Sequence, residues 1–160
     1  MEIKKYLDNL KIEYNCYSHP PVFSCEESEK LSVVKNGMHA KSLLLKSKKL
    51  EHYFLIILSC NEKLNIKNLE KIIGERLRFA SADELKKNLN LLPGSVSPFG
   101  IINEPEKSKG KVQVYFEEKV WTSPILNFHP NKNTETIEIS NEEFKKYLNS
   151  LKNKVKVFKN

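Results

Sequence analysis

Glycine is scarce in this chain, with five among 160 residues. None of the five forms a GxGxxG turn or a P-loop, so the backbone cradle for nucleotide phosphates is missing and ATP chemistry is not expected. Long apolar runs are missing too: the longest spans residues 53–58, far short of the roughly 20 residues of a membrane span. Residues 1–15 set Lys4, Lys5 and Asp8 among the apolar positions, which breaks the continuous stretch a secretory signal needs. Neither export nor a membrane is expected. The three cysteines, Cys16, Cys25 and Cys60, are odd in number, widely spaced and without a CxxC pair, so a reducing, cytoplasmic setting fits best. His19, His39, His52 and His129 show no HxxxH or HExxH spacing and no cysteine beside them, so no metal is expected. No motif surrounds a cysteine that would make it a nucleophile.

What is present suits one domain over residues 1–160, with 39% hydrophobic and 29% charged residues. The formal charge of +7 comes from 27 Lys and Arg against 20 Asp and Glu. Such an excess draws a protein towards polyanions, nucleic acid among them. Charge alone does not separate that reading from solvated lysines.

Ile3, Tyr6, Leu7 and Leu10 fall at helical spacing and predict an opening amphipathic helix. Three serines are followed three residues later by glutamate, at Ser24 and Glu27, Ser81 and Glu84, and Ser140 and Glu143. Each is the signature of a capped helix start. A further helix over 65–73 is closed by Gly74. Strands are expected at 42–45, 53–58, 77–80, 112–116 and 136–139, with a hairpin joining the first two through the polar 46–51 turn. The basic segment 152–160 reads as a frayed tail or a last strand. Irregular alternation gives an α/β or α+β domain: a mixed, mostly antiparallel sheet with flanking helices.

Three stretches do not look like framework. In 37–45, Lys41 stands at the entrance of an apolar strand, where it is either a solvated strand end or a cation that pairs with phosphate or polarises a carbonyl. In 92–100, two prolines and two glycines fit no regular element. That loop is either a rigid crossover or a place where exposed amides receive an anion or an ester oxygen. In 127–134, His129 lies between an apolar strand and a polar turn, placed for proton transfer or for a structural hydrogen bond.

Taken in order, these segments resemble the YbaK and ProX family of aminoacyl-tRNA deacylases, which includes the editing domain inserted in bacterial prolyl-tRNA synthetases. The resemblance runs from His19-Pro20-Pro21-Val22-Phe23 to Leu148, with a core of about 17–150. Its strongest matches are Gly37, His39, Lys41 and 43–46, then 93–100 with Ile102 and Asn103, then 127–134. The ProX branch fits best. The family implies a single YbaK-like domain, a pocket for the aminoacylated 3′ adenosine of a mischarged tRNA, no cofactor and a monomer. Prolyl-tRNA synthetase is an expected associate.

Carried onto this sequence, the resemblance makes Lys41 and His129 the catalytic pair. Ser42, Gly94, Ser95, Ser97, Pro98, Phe99, Gly100, Phe128, Asn133 and Thr134 become substrate-binding residues, and Val22, Phe23 and Leu43 join Phe99 and Phe128 as candidate pocket walls. The branch commonly has Asn after the lysine, where this chain has Ser42. The implied reaction is hydrolysis of Ala-tRNA(Pro) by a positioned water. Alternatives are Cys-tRNA(Pro) or another aminoacyl-tRNA, a tRNA- or synthetase-binding module without catalysis, and a binder of free amino acids.

Overall fold

The run Tyr53–Ser59 forms strand β3, and every residue in it is buried. An unbroken apolar strand of this kind needs cover on both faces, and it has it. Leu55 and Ile57 join one core, whereas Phe54, Ile56 and Leu58 join a second. The computed structural model describes residues 2–160 except 32, 33 and 35.

The elements follow in the order α1 (Ile3–Asn9), β1 (Asn15–Ser18), α2 (Cys25–Leu31), β2 (Met38–Ser47), β3, α3 (Ile66–Ile73), β4 (Leu77–Phe79), α4 (Ala82–Leu89), two 3₁₀ turns (Pro98–Asn103 and Glu106–Ser108), β5 (Gln113–Glu117), α5 (Glu118–Trp121), β6 (Ile125–Phe128), β7 (Glu135–Ser140), α6 (Asn141–Asn149) and β8 (Val155–Phe158). The strands form one mixed sheet in the order β1-β7-β6-β2-β3-β5-β8, with β4 paired to β2 off that path. The expected α/β class with flanking helices holds, as does the hairpin between β2 and β3. The segment 152–160 ends in β8, parallel to β5, rather than as a frayed tail.

Helices α1, α4 and α6 and the first 3₁₀ turn cover one face through Leu7, Leu89, Phe144, Tyr147 and Phe99. Helix α3 covers the other through Leu69. The capping signals act unequally. Ser81 and Glu84 make the complete reciprocal box. Ser140 caps Glu143 N–H, but the Glu143 carboxylate turns to Glu13 N–H at 2.8 Å.

Two expectations change. Strand β2 begins at Met38, so Lys41 lies within the strand and not at its entrance. The reason is non-local: Met38 and His39 are recruited by Leu126 and Asn127 of β6. The segment 92–100 is only in part a loop, because Pro98–Asn103 is a 3₁₀ turn capped by Ser97, whose Oγ accepts from Phe99 N–H at 3.1 Å. Proline at the first position has the dihedral such a turn requires.

Candidate active site

Strand β2 is shared by two diverging neighbours. On the edge away from β3 it pairs with β6 only at Met38 and His39, and with β4 only from Leu45 to Ser47. Between these contacts the sheet forks. Cys60 N–H donates to His39 O and Ala80 N–H to Leu44 O, each at 2.9 Å. Because successive residues of an antiparallel strand turn their polar groups to alternate sides, Ser42 directs its N–H and C=O into the fork. Among the described residues no strand pairs them there.

A cavity of about 610 Å³ occupies this fork. Lys41, Ser42, Leu43, Phe128, His129 and Gly94 all line it. Phe23, on the segment before α2, and Phe79, at the end of β4, line it while remaining 70% and 53% exposed. Unstacked aromatics beside a cleft provide flat apolar faces for a planar ligand group.

The side chain of Lys41 is half-buried. Among the described residues no hydrogen bond or ion pair ties down its ammonium. It lies near enough to Glu62 to help hold that carboxyl below its ordinary range, after the larger effect of the Glu62–Lys119 bridge. An uncommitted ammonium at the cavity wall is a ready partner for phosphate or a polarised carbonyl.

His129 Nδ1 lies 3.0 Å from the Glu135 carbonyl oxygen. A carbonyl only accepts, so Nδ1 carries the proton and the neutral ring presents Nε2 as an acceptor. Burial pushes the imidazole pKa below its ordinary value, with the neighbouring His19 and His39 acting in the same direction. The ring is therefore neutral at pH 7. His19 stands 6.0 Å away, centroid to centroid, with its Nε2 2.9 Å from the Thr136 hydroxyl.

The other expected residues are distributed differently. Phe99 is fully buried, edge-on to Phe128 at 5.8 Å and to Phe144 at 5.9 Å. It supports the wall from behind. Ser97, Pro98 and Gly100 are buried with it. A Cβ on Gly100 would stand 2.4 Å from Leu91 Cδ1, so a side chain there requires Leu91 to move. Ser95 closes the turn after Leu92. Asn133 and Thr134 act through their carbonyls, which receive Val22 N–H at 3.1 Å and His19 N–H at 2.9 Å. They hold the segment leading to α2 rather than line the cavity, and Val22 is buried beneath it.

Three lining features escaped the sequence reading: Asn127, Phe79, and the pair Cys25 and Cys60. The expectation of unpaired thiols is corrected for two of the three cysteines. Cys25 and Cys60 form a disulfide with 5.7 Å between Cα atoms, and Cys16 is free. Their 35-residue separation gave no signal. The fold brings the start of α2 to the residue following β3. Among the described residues no cluster of three or more metal-ligating side chains occurs, and no helix is long and apolar enough to cross a membrane.

A forked sheet that gathers a lysine, a neutral histidine and unpaired backbone groups around one cavity defines a ligand-processing pocket protein of a single domain. A family model described as the aminoacyl-tRNA editing domain matches residues 19–147. The chain belongs to this family, and its class is that of an aminoacyl-tRNA deacylase. It is 35% identical over 143 residues to the prolyl-tRNA editing protein ProX of Acetoanaerobium sticklandii, covering 89% of this chain and 85% of that protein. It is 29% identical over 150 residues to prolyl-tRNA synthetase associated domain-containing protein 1 of Mus musculus, covering 89% and 85%. The fold matches the crystal structure of a candidate trans-editing enzyme for prolyl tRNA synthetase with a TM-score of 0.75 at 16% identity, over 99% of this chain and 95% of that one. It also matches hypothetical protein APE2540 with a TM-score of 0.76 at 14% identity, over 98% of each.

Proposed function

We propose that this chain clears mischarged tRNA in trans, with Ala-tRNA(Pro) as its substrate. The observation that carries the reading is the convergence of Lys41, His129 and the open edge at Ser42 on one cavity, in a chain 35% identical to a prolyl-tRNA editing protein. A volume of about 610 Å³ accommodates more than an alanyl group and leaves room for the terminal nucleoside that bears it. The chain would act in the cytoplasm as a monomer, beside prolyl-tRNA synthetase.

The ester needs a positioned water and a stabilised oxyanion, not a protein nucleophile. Lys41 anchors the phosphate-bearing end. Ser42 N–H and Gly94 N–H, both at the cavity wall, offer donors to the carbonyl oxygen. Nε2 of neutral His129 accepts the proton of the water or of the vicinal ribose hydroxyl. Positioning of this kind contributes up to roughly 7–11 kcal/mol at ideal geometry. One oxyanion donor contributes on the order of 10²–10³ in rate. Selectivity follows from size. A synthetase site built for proline rejects smaller alanine by only about 1–3 kcal/mol per methylene, so a second, smaller site removes the error.

The test is deacylation of Ala-tRNA(Pro), Pro-tRNA(Pro), Ala-tRNA(Ala) and Cys-tRNA(Pro) by the wild type and Lys41→Ala. Selective loss of alanine from proline tRNA, reduced at least about 100-fold in the variant, is expected. Equal rates for the two proteins overturn the site, and a preference for Cys-tRNA(Pro) overturns the substrate.

A further inference from the structure

Asn127 is 2% exposed and lines the cavity at the point where β6 leaves β2, paired there with His39. The orientation of its amide follows from one contact. The atom 2.6 Å from the Asn36 carbonyl oxygen must be Nδ2, because that oxygen only accepts. Oδ1 then has no donor among the described residues. A buried acceptor without a partner is a cost that folded proteins seldom carry, and it calls for a donor to complete it.

The place of Asn127 narrows what that donor is. Beyond the paired residues His39 and Asn127 the strands are closed, so the fork ends there. A ligand that entered from the open side and extended along β2 would bring its inner terminus to this end. The Ser42 C=O faces the same fork and adds a second acceptor. Among the described lining residues the one carboxylate belongs to Glu26 on α2, so a cationic terminus at the fork is met by neutral oxygens. In an aminoacyl ester whose ribose and phosphates lie toward Lys41 and the exposed aromatics, that terminus is the α-ammonium, which carries donors only.

We infer that Asn127 is a specificity-determining residue whose Oδ1 accepts a hydrogen bond from the free α-ammonium of the aminoacyl group. The enzyme thereby selects unblocked aminoacyl esters over N-acylated ones. The inference rests on the deacylase reading above.

The experiment compares kcat/KM for Ala-tRNA(Pro) and N-acetyl-Ala-tRNA(Pro). Wild type is expected to favour the free amine by roughly 10- to 100-fold, the usual span for a hydrogen bond to a charged group. Asn127→Leu should bring the ratio close to one, and Asn127→Asp, which retains an acceptor, should preserve it. Simple exclusion of the bulky acetyl group would survive the leucine substitution, so an unchanged ratio in that variant overturns the inference. Equal wild-type rates on the two esters overturn it without any variant. A wild type inactive on both esters overturns the deacylase reading and this inference with it.

Discussion

The inner and outer walls of the cavity are held by different forces. The inner wall carries Lys41 on β2, Phe128 at the end of β6 and His129 just after it, backed by the packed core. Phe128 lies 4.9 Å from Phe144, within a group that also includes Phe99 and Tyr147. The outer wall is the segment around α2, seven residues with no buried side chain. It is fastened by Val22, by the carbonyls of Asn133 and Thr134, and by the disulfide from Cys25. The groups proposed to act on the substrate sit on the side that the core immobilises, as precise positioning requires. The α2 side is held by a covalent link and a few edge hydrogen bonds.

The largest expected effect breaks the inner wall. Phe144 meets Phe99, Phe116, Phe128 and Tyr147 with ring centroids 4.9–5.9 Å apart. Phe144→Ala should lower stability by about 3–5 kcal/mol, read from equilibrium denaturation. Because Phe128 rests directly on that ring, kcat should fall even in the folded fraction. A loss under about 1 kcal/mol would mean that the aromatic group is not what fixes this wall.

The next effect breaks the outer wall. Replacing both Cys25 and Cys60 by serine opens a loop of 35 residues and should lower stability by about 2–4 kcal/mol. Since α2 buries nothing, the damage should remain local. Steady-state kinetics should show KM rising while kcat is largely kept. A collapse of kcat with KM unchanged would erase the distinction between the walls.

The two walls also differ in how far the sequence revealed them. Elements whose signal is local were legible: the β3 run, the α4 box at Ser81 and Glu84, and the Gly74 stop, which takes a left-handed φ of 82°. Lys41 and His129, singled out by their short, ordered flanking motifs, both line the cavity. Their setting was not legible. Lys41 is mid-strand because residues nearly 90 positions away, Leu126 and Asn127, extend β2 backwards. Asn127 lies in the matched stretch 127–134 but was not singled out as a site residue, and only the pairing with His39 places it at the fork. Phe99 had the right composition for a pocket wall, yet the 3₁₀ turn rotates it into the core. The disulfide depends on two segments meeting across the cavity, which no spacing rule encodes.

The smallest effect sharpens the comparison without breaking either wall. Burial holds the His129 pKa below its ordinary value of 6.5. As pH falls through 6.5 towards the folded value, the unfolded chain takes up a proton that the folded ring still refuses, so stability declines over that window. Above 6.5 neither state is protonated and the group contributes nothing. On the proposed role of His129 as proton acceptor, kcat/KM should be flat above about pH 6.5 and fall on the acid side, on the order of tenfold per pH unit once below the folded pKa. A pH profile checks this, and His129→Gln should lack the acid limb. The desolvation that sets the limb comes from the inner wall, so the Cys25→Ser, Cys60→Ser protein should keep it at the same pH while its KM rises. A limb that moves towards 6.5 in that variant would show that the α2 segment, and not the packed strands alone, keeps water from His129.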